Sequence, residues 1–249
     1  MKANWTVAVV CAFCAAAAYG QQGVNLEISG PSQSFGSAIN VTPLRVEMDN
    51  TEFAEQMQIR NDSPESINVQ LRVFKWSQVS GNDQYALSNE IILSPSITRI
   101  GASQTQNFRL VRASEQKPLG EVRYRIIIDQ LPSTSGSSES QTKTRLRFSV
   151  PLFVNRDTAT APELEWQLRG RRLNIINNGG KTVKISGVTV LMPDQRRIEF
   201  KGSGTRYVLG NSSVVWESEI DTGCIAAAPT LIAVVDQQKI NAIPSTTCS

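Results

Sequence analysis

The chain is predicted to be all-β, built from two immunoglobulin-like β-sandwich domains. Three observations carry this expectation. Apolar residues recur at every second position in short runs along most of the chain, which is the period of a half-buried strand. Clusters of Gly, Pro, Asn, Asp and Ser separate those runs at short intervals. The chain has 249 residues, and setting aside the first twenty leaves about 229, enough for two sandwiches of ordinary size.

Residues 1–20 read as a secretory signal peptide. Lys2 precedes an apolar run from Trp5 to Ala18, and small residues follow to Gly20. That run is too short for a membrane span. Cys11 and Cys14 lie inside it and leave with it. Residues 21–40 form a polar N-terminal arm, interrupted by one alternation of Val24, Leu26 and Ile28 that suggests an edge strand.

The first domain is expected over residues 41–155. "VTPLRVEMD" puts Leu44, Val46 and Met48 on one side, "AEQMQIRN" offers Met57 and Ile59, and "INVQLRVFKW" aligns Ile67, Val69, Leu71 and Val73. "EIILSP" is short, "QTQNFRLVR" brings Phe108 and Leu110, and "EVRYRIIIDQLP" aligns Val122, Tyr124, Ile126 and Ile128. A long polar loop, "PSTSGSSESQTKT", then leads into "RLRFSVPLF". "NRDTATAPELEW" reads as a hinge. The second domain, over residues 156–249, is expected to use "ELEWQLRG", "RRLNIINNG", "KTVKISGVTVLM", "RRIEFKG", "RYVLG", "SSVVWES" and "TLIAVVDQQKINAI" as strands.

Composition narrows the function. There is no histidine, so Ser-His-Asp and Cys-His chemistry are excluded, whereas carboxylate-only catalysis is not. The formal charge of +3 gives no footprint for nucleic acid. No second long apolar run follows the leader, so no membrane insertion of the mature chain is expected. The acidic residues lack metal-type spacing, and "KGSGTRYVLG" lacks the Lys-Ser/Thr signature of a phosphate-cradling loop. No metal and no cofactor are therefore expected. Past the leader only Cys224 and Cys248 remain. In an oxidising compartment they form one disulfide, with two free thiols as the alternative.

Three places stand out. In "RLRFSVPLF", Leu146, Phe148, Val150 and Leu152 share one parity, yet Pro151 sits among them. A proline cannot donate to a central ladder, so this strongly apolar strand carries the mark of a sheet edge. Lys75 shares the core parity of Ile67 to Val73. Either the strand ends at Val73 and Lys75 snorkels to water, or Lys75 points into a cleft and awaits an anion. Arg45 has the parity opposite to Val46 and Met48 and is exposed or cleft-facing.

The pieces "VTPLRVEMDN", "QIRNDS", "VFKWSQ", "ILSPSITRI", "FRLVR", "YRIIIDQLP" and "SVPLFV" occur in the order and spacing of a known family. The chain resembles the PapD-like periplasmic pilus chaperones of the chaperone–usher pathway, most nearly the archaic spore-coat-U (Csu) type. The resemblance covers essentially the whole chain past the leader and is strongest from Val41 to Val154. It implies two domains joined at an angle with a cleft between them, and a periplasmic, non-enzymatic role. The chaperone would hold a pilus subunit whose own sandwich lacks a strand, lend it a strand, and deliver it to an outer-membrane usher.

On that resemblance Leu146, Phe148, Val150 and Leu152 would enter the subunit's groove as a donor strand. Four such side chains would contribute on the order of 6–12 kcal/mol before ordering costs. The loop from Ser133 to Thr144 would fold back over the strand or order on binding. Alternatively, the free protein would cap itself by dimerising. Arg45 falls at the place of one of the family's two carboxylate anchors. The other place holds Pro151, so Lys75 is expected to take that role. An inter-domain ion network is expected from Glu121, Arg156 and Asp221. The resemblance leaves the peptide before Pro95 open between cis and trans. Two other classes compete: a structural or adhesive pilus protein using residues 24–28 as a donor arm, and a β-sandwich hydrolase working with carboxylates alone.

Overall fold

In a computed structural model describing residues 39–115, 119–132, 146–200, 205–223 and 227–246, the first half of the chain forms two facing sheets. Its strands are β1 (Ile39–Thr42), β2 (Val46–Met48), β3 (Ala54–Asn61), β4 (Ile67–Val79), β5 (Asn82–Leu87), β6 (Ile91–Ser94), β7 (Ile97–Ile100), β8 (Thr105–Arg112), β9 (Val122–Leu131) and β10 (Arg147–Val154). One sheet has the order β1-β3-β8-β6, and the other β2-β10-β9-β4-β5, with β7 also on β4. Alternation decides what each strand buries. Met57, Ile59, Phe108 and Leu110 from the first sheet meet Val69, Leu71, Val73, Ile126 and Ile128 from the second in one core.

The single strand expected over 41–49 is two strands in two sheets. β1 pairs with β3, whereas β2 runs parallel to β10. The crossing falls at Pro43, where the peptide after Thr42 is cis. Leu44 lies in that crossing and is 73% exposed, a correction to its expected place beside Val46 and Met48. The peptide before Pro95 is also cis. β4 runs past the expected end of its strand and turns back into β5. Ser80 and Gly81 join them with φ of 51° and 80°, as a two-residue hairpin turn requires.

The second half repeats the plan with β11 (Leu164–Arg169), β12 (Arg172–Asn177), β13 (Val183–Leu191), β14 (Arg197–Glu199), β15 (Arg206–Val208), β16 (Ser212–Glu217), β17 (Thr230–Val235), β18 (Gln238–Ala242) and β19 (Ser245–Thr246). The sheets are β16-β12-β11-β19 and β14-β13-β17-β18, with β15 on β13. Trp166, Leu173, Ile175 and Trp216 meet Val183, Ile185, Val190 and Leu231 between them. The run expected as one strand from Thr230 is a hairpin, because Asp236 and Gln237 both take positive φ.

Between the halves, Asn155 is buried in the left-handed region (φ 56°) and opens a short 3-10 turn, Arg156–Thr158. Its amide donates to Met48 O at 2.9 Å. Close approach continues at Gly179, where a Cβ would lie 2.0 Å from Ala161 O, so only glycine fits. The leader, residues 21–38 of the arm, the Ser133–Thr144 loop, Arg145, Cys224 and Cys248 lie outside the described residues, so the disulfide expectation does too.

Candidate functional site

β10 is unevenly covered along its length. Every residue from Arg147 to Val154 pairs antiparallel with β9. On its other side β2 reaches only Leu152, Phe153 and Val154. Among the described residues nothing pairs with Arg147 to Pro151 on that side. Pro151 stands at the first position past the cover, where its missing N–H breaks no ladder on the open side.

The structure divides the four apolar residues of this strand. Val150 and Leu152 are buried in the first domain's own core, whereas Leu146 and Phe148 are half-buried against its end. That corrects the expectation of four side chains free to enter a partner. Two are already committed at home. The remaining pair, already half-buried, has roughly 1.5–3 kcal/mol of further burial to gain before ordering costs.

The open half of β10 is pinned to its sheet by charge. Asp129, opposite Arg147 on β9, accepts from Arg147 Nε at 2.5 Å and Arg72 Nη2 at 2.7 Å. Burial alone would push its carboxyl up, but the two guanidinium hydrogen bonds hold it below the usual carboxylate range.

At the covered end of β10, cations and aromatic rings gather where the halves meet. Trp76, Phe153 and Leu209 are buried together, with Tyr85 and Tyr207 packed on them. Arg45 lies 4.8 Å and Arg156 5.4 Å from the Phe153 ring centre. Arg125 stacks 3.8 Å over Trp76 and 4.9 Å from Tyr207. It is 4% exposed, opposite Pro151, and its Nε has no hydrogen-bond partner. Burial lowers its pKa, opposed by Tyr85, Tyr207 and Asp83. Arg125 escaped the sequence reading. Its signal was parity: Trp76, Arg125 and Phe153 all leave the first domain's core face, which predicts a second surface covering them.

Lys75 is not in this cluster. It is exposed, and its Nζ donates to Glu90 Oε1 at 2.8 Å and Oε2 at 3.1 Å. The Tyr124 hydroxyl donates to the same carboxylate. Hydrogen bonds from Lys75 and then Tyr124 hold Glu90 below the usual carboxylate range. Lys75 thus stands apart from the Arg45 cluster, held by Glu90, and this placement gives no support to its expected role as a second anchor beside Arg45.

The expected ion network forms around Glu121, whose side chain is fully buried. Arg123 Nε donates to it at 2.9 Å and Thr182 N at 2.9 Å; Arg156 Nη1 and the Thr182 hydroxyl donate as well. Arg123 Nη2 also reaches Gly180 O at 2.7 Å. Asp221 is not a member. It is exposed and accepts from Gly223 N at 2.8 Å, while Asp236 lies 4.0 Å from Arg156. A further seam joins the β4–β5 hairpin to the second half: Gln78 Nε2 donates to Tyr207 O at 2.8 Å, and Leu209 N donates to Gln78 Oε1 at 3.0 Å.

Among the described residues no helix is long and apolar enough to cross a membrane, and no His, Cys, Asp and Glu cluster could hold a metal. Comparison with known proteins gives one family match. Residues 38–158 match the family described as pili and flagellar-assembly chaperone, PapD N-terminal domain. No curated protein sequence matches the chain. Solved structures share its fold. A chain from the CsuC–CsuE chaperone–tip adhesion subunit pre-assembly complex of archaic Csu pili of Acinetobacter baumannii is 24% identical, covering 85% of this chain and 100% of that one, with a TM-score of 0.66. A chain from the Salmonella enterica SafA pilin–SafB chaperone complex is 16% identical, covering 86% and 100%, with a TM-score of 0.62. The Pseudomonas aeruginosa CupB2 chaperone is 16% identical, covering 84% and 100%, with a TM-score of 0.57.

Proposed function

We propose that the chain, whose residues 38–158 match the family described as pili and flagellar-assembly chaperone, PapD N-terminal domain, is a chaperone of that kind and captures pilus subunits by lending them the open half of β10. Its role is non-enzymatic. A subunit strand pairs with the free edge of Arg147–Pro151, and Leu146 and Phe148 extend the chaperone core into the subunit's groove. Main-chain bonds supply affinity, and the alternating side chains supply register. Val150 and Leu152 hold the lent strand at home. The chaperone works in the periplasm and passes the subunit to an outer-membrane usher.

Arg45 receives the subunit's terminal carboxylate at the covered end of β10. It is partly exposed, and it lies on the outward side of a chain whose next residue, Val46, is buried. A charge-assisted bond of this kind contributes roughly 1.5–3 kcal/mol.

The observation that carries the reading is the edge itself: a strand paired on one side over its whole length and on the other only from Leu152 onward. Co-expression with its cognate pilus subunit tests it. A soluble one-to-one complex is expected, and Arg45→Ala should weaken capture while leaving the thermal midpoint of the chaperone unchanged. Loss of the subunit regardless of this chain would sink the reading.

A further inference from the structure

Arg45, the cation assigned above to a partner's carboxylate, already touches an acid of its own chain. Glu47 forms an ion pair with Arg45 Nη2. Val46 and Met48 are buried, so Arg45 and Glu47 project together from the opposite face. Both remain accessible, at 31% and 41% of their side-chain surfaces. Glu47 Oε1 also lies 3.8 Å from Arg156 Nε. Glu47 therefore sits between the two cations that flank the Phe153 ring.

We propose that Glu47 is a resident stand-in for the subunit's terminal carboxylate, occupying Arg45 in the free protein and yielding it on capture. This rests on the assignment of Arg45 as anchor. The exchange replaces one carboxylate on the guanidinium by another. An exposed ion pair is weak, so the swap costs little. Arg156 is within ion-pair range of Glu47, so the displaced charge keeps a partner. The consequence is selectivity. An anion arriving from solution must compete with a carboxylate tethered two residues away, which acts at high effective concentration. A subunit arrives already held along β10, so its own terminus competes on equal terms. Glu47 thus weakens the hold on loose anions a few-fold and favours a carboxylate attached to a bound strand.

The test uses the full-length mature protein and two small probes, N-acetyl-phenylalanine and its C-terminal amide. Binding is followed by the Arg45 Nε–H resonance in NMR titrations. Wild type should prefer the acid to the amide. Glu47→Gln should bind the acid about 1.5–5-fold more tightly, the range set by an exposed ion pair, and the amide unchanged. Glu47→Thr, which suits a strand, should behave alike and guards against a folding artefact of the first variant. Equal or weaker acid binding in both variants, with the acid preference intact, overturns the stand-in while leaving Arg45 as anchor. Indifference to acid and amide in all three proteins overturns the anchor, and the stand-in falls with it.

Discussion

Asp129 ties the open half of β10 to its sheet through two arginines. Its two arginine partners come from both sides, Arg72 on β4 and Arg147 on β10. Ionised, it holds Arg147 against β9 at the start of the open half of β10. Its folded-state pKa is depressed, so its stabilisation is present above the unfolded carboxyl value, about 3.9, and is lost as pH falls through the lower folded value. Amide exchange at Phe148 should accelerate, relative to β9, as pH drops below about 4. Asp129→Asn should remove that pH dependence. Persistence of the acid-induced loosening in Asp129→Asn would show that another group controls it. The site is only partly written in local pattern. Arg45 is legible as an outward-facing cation beside an apolar strand, but the partner of Lys75 is not, because Glu90 arrives from a separate loop fifteen residues on.

β10 is the element on which the proposal turns, and its two ends should respond differently to substitution. Leu152→Ala empties a fully buried position and should cost about 2–5 kcal/mol of stability in urea unfolding. Phe148→Ser removes a half-buried side chain at the end of the core. It should change stability less and abolish subunit recovery in co-purification. Equal stability losses from both, with capture tracking stability, would mean that β10 only packs its own domain. The alternation of this strand is legible from residues 146–152 alone. Which half lies open is not, since that depends on β2, about a hundred residues earlier, beginning only opposite Leu152. β5 is hidden for a local reason: "NDQYAL" buries nothing fully, so no apolar period marks it, and only the Ser80–Gly81 turn hints at a hairpin.

Across the whole molecule, the two halves are fastened by separate seams, one on Glu121 and one on Gln78. Glu121 is a buried carboxylate whose donors come from both halves: Arg123 on β9, Arg156 in the connecting turn and Thr182 of the second sandwich. Glu121→Ala strands these groups and should destabilise the protein by about 3–5 kcal/mol in denaturant unfolding. A change below about 1 kcal/mol would mean that water replaces the carboxylate without loss. The two-sandwich plan is legible because alternation and turns are local. The seams are less so. Asp221 and Asp236 both look like acids in polar turns, and only the folded chain brings one of them near Arg156.

The most direct test of the account is hydrogen exchange along β10, free and subunit-bound. The amides of Arg147 to Val150 that point away from β9 should exchange freely in the monomer and become protected in the complex, while those bonded to β9 change little. Exchange at those outward amides that is identical with and without subunit would contradict the claim that this edge is what the partner uses.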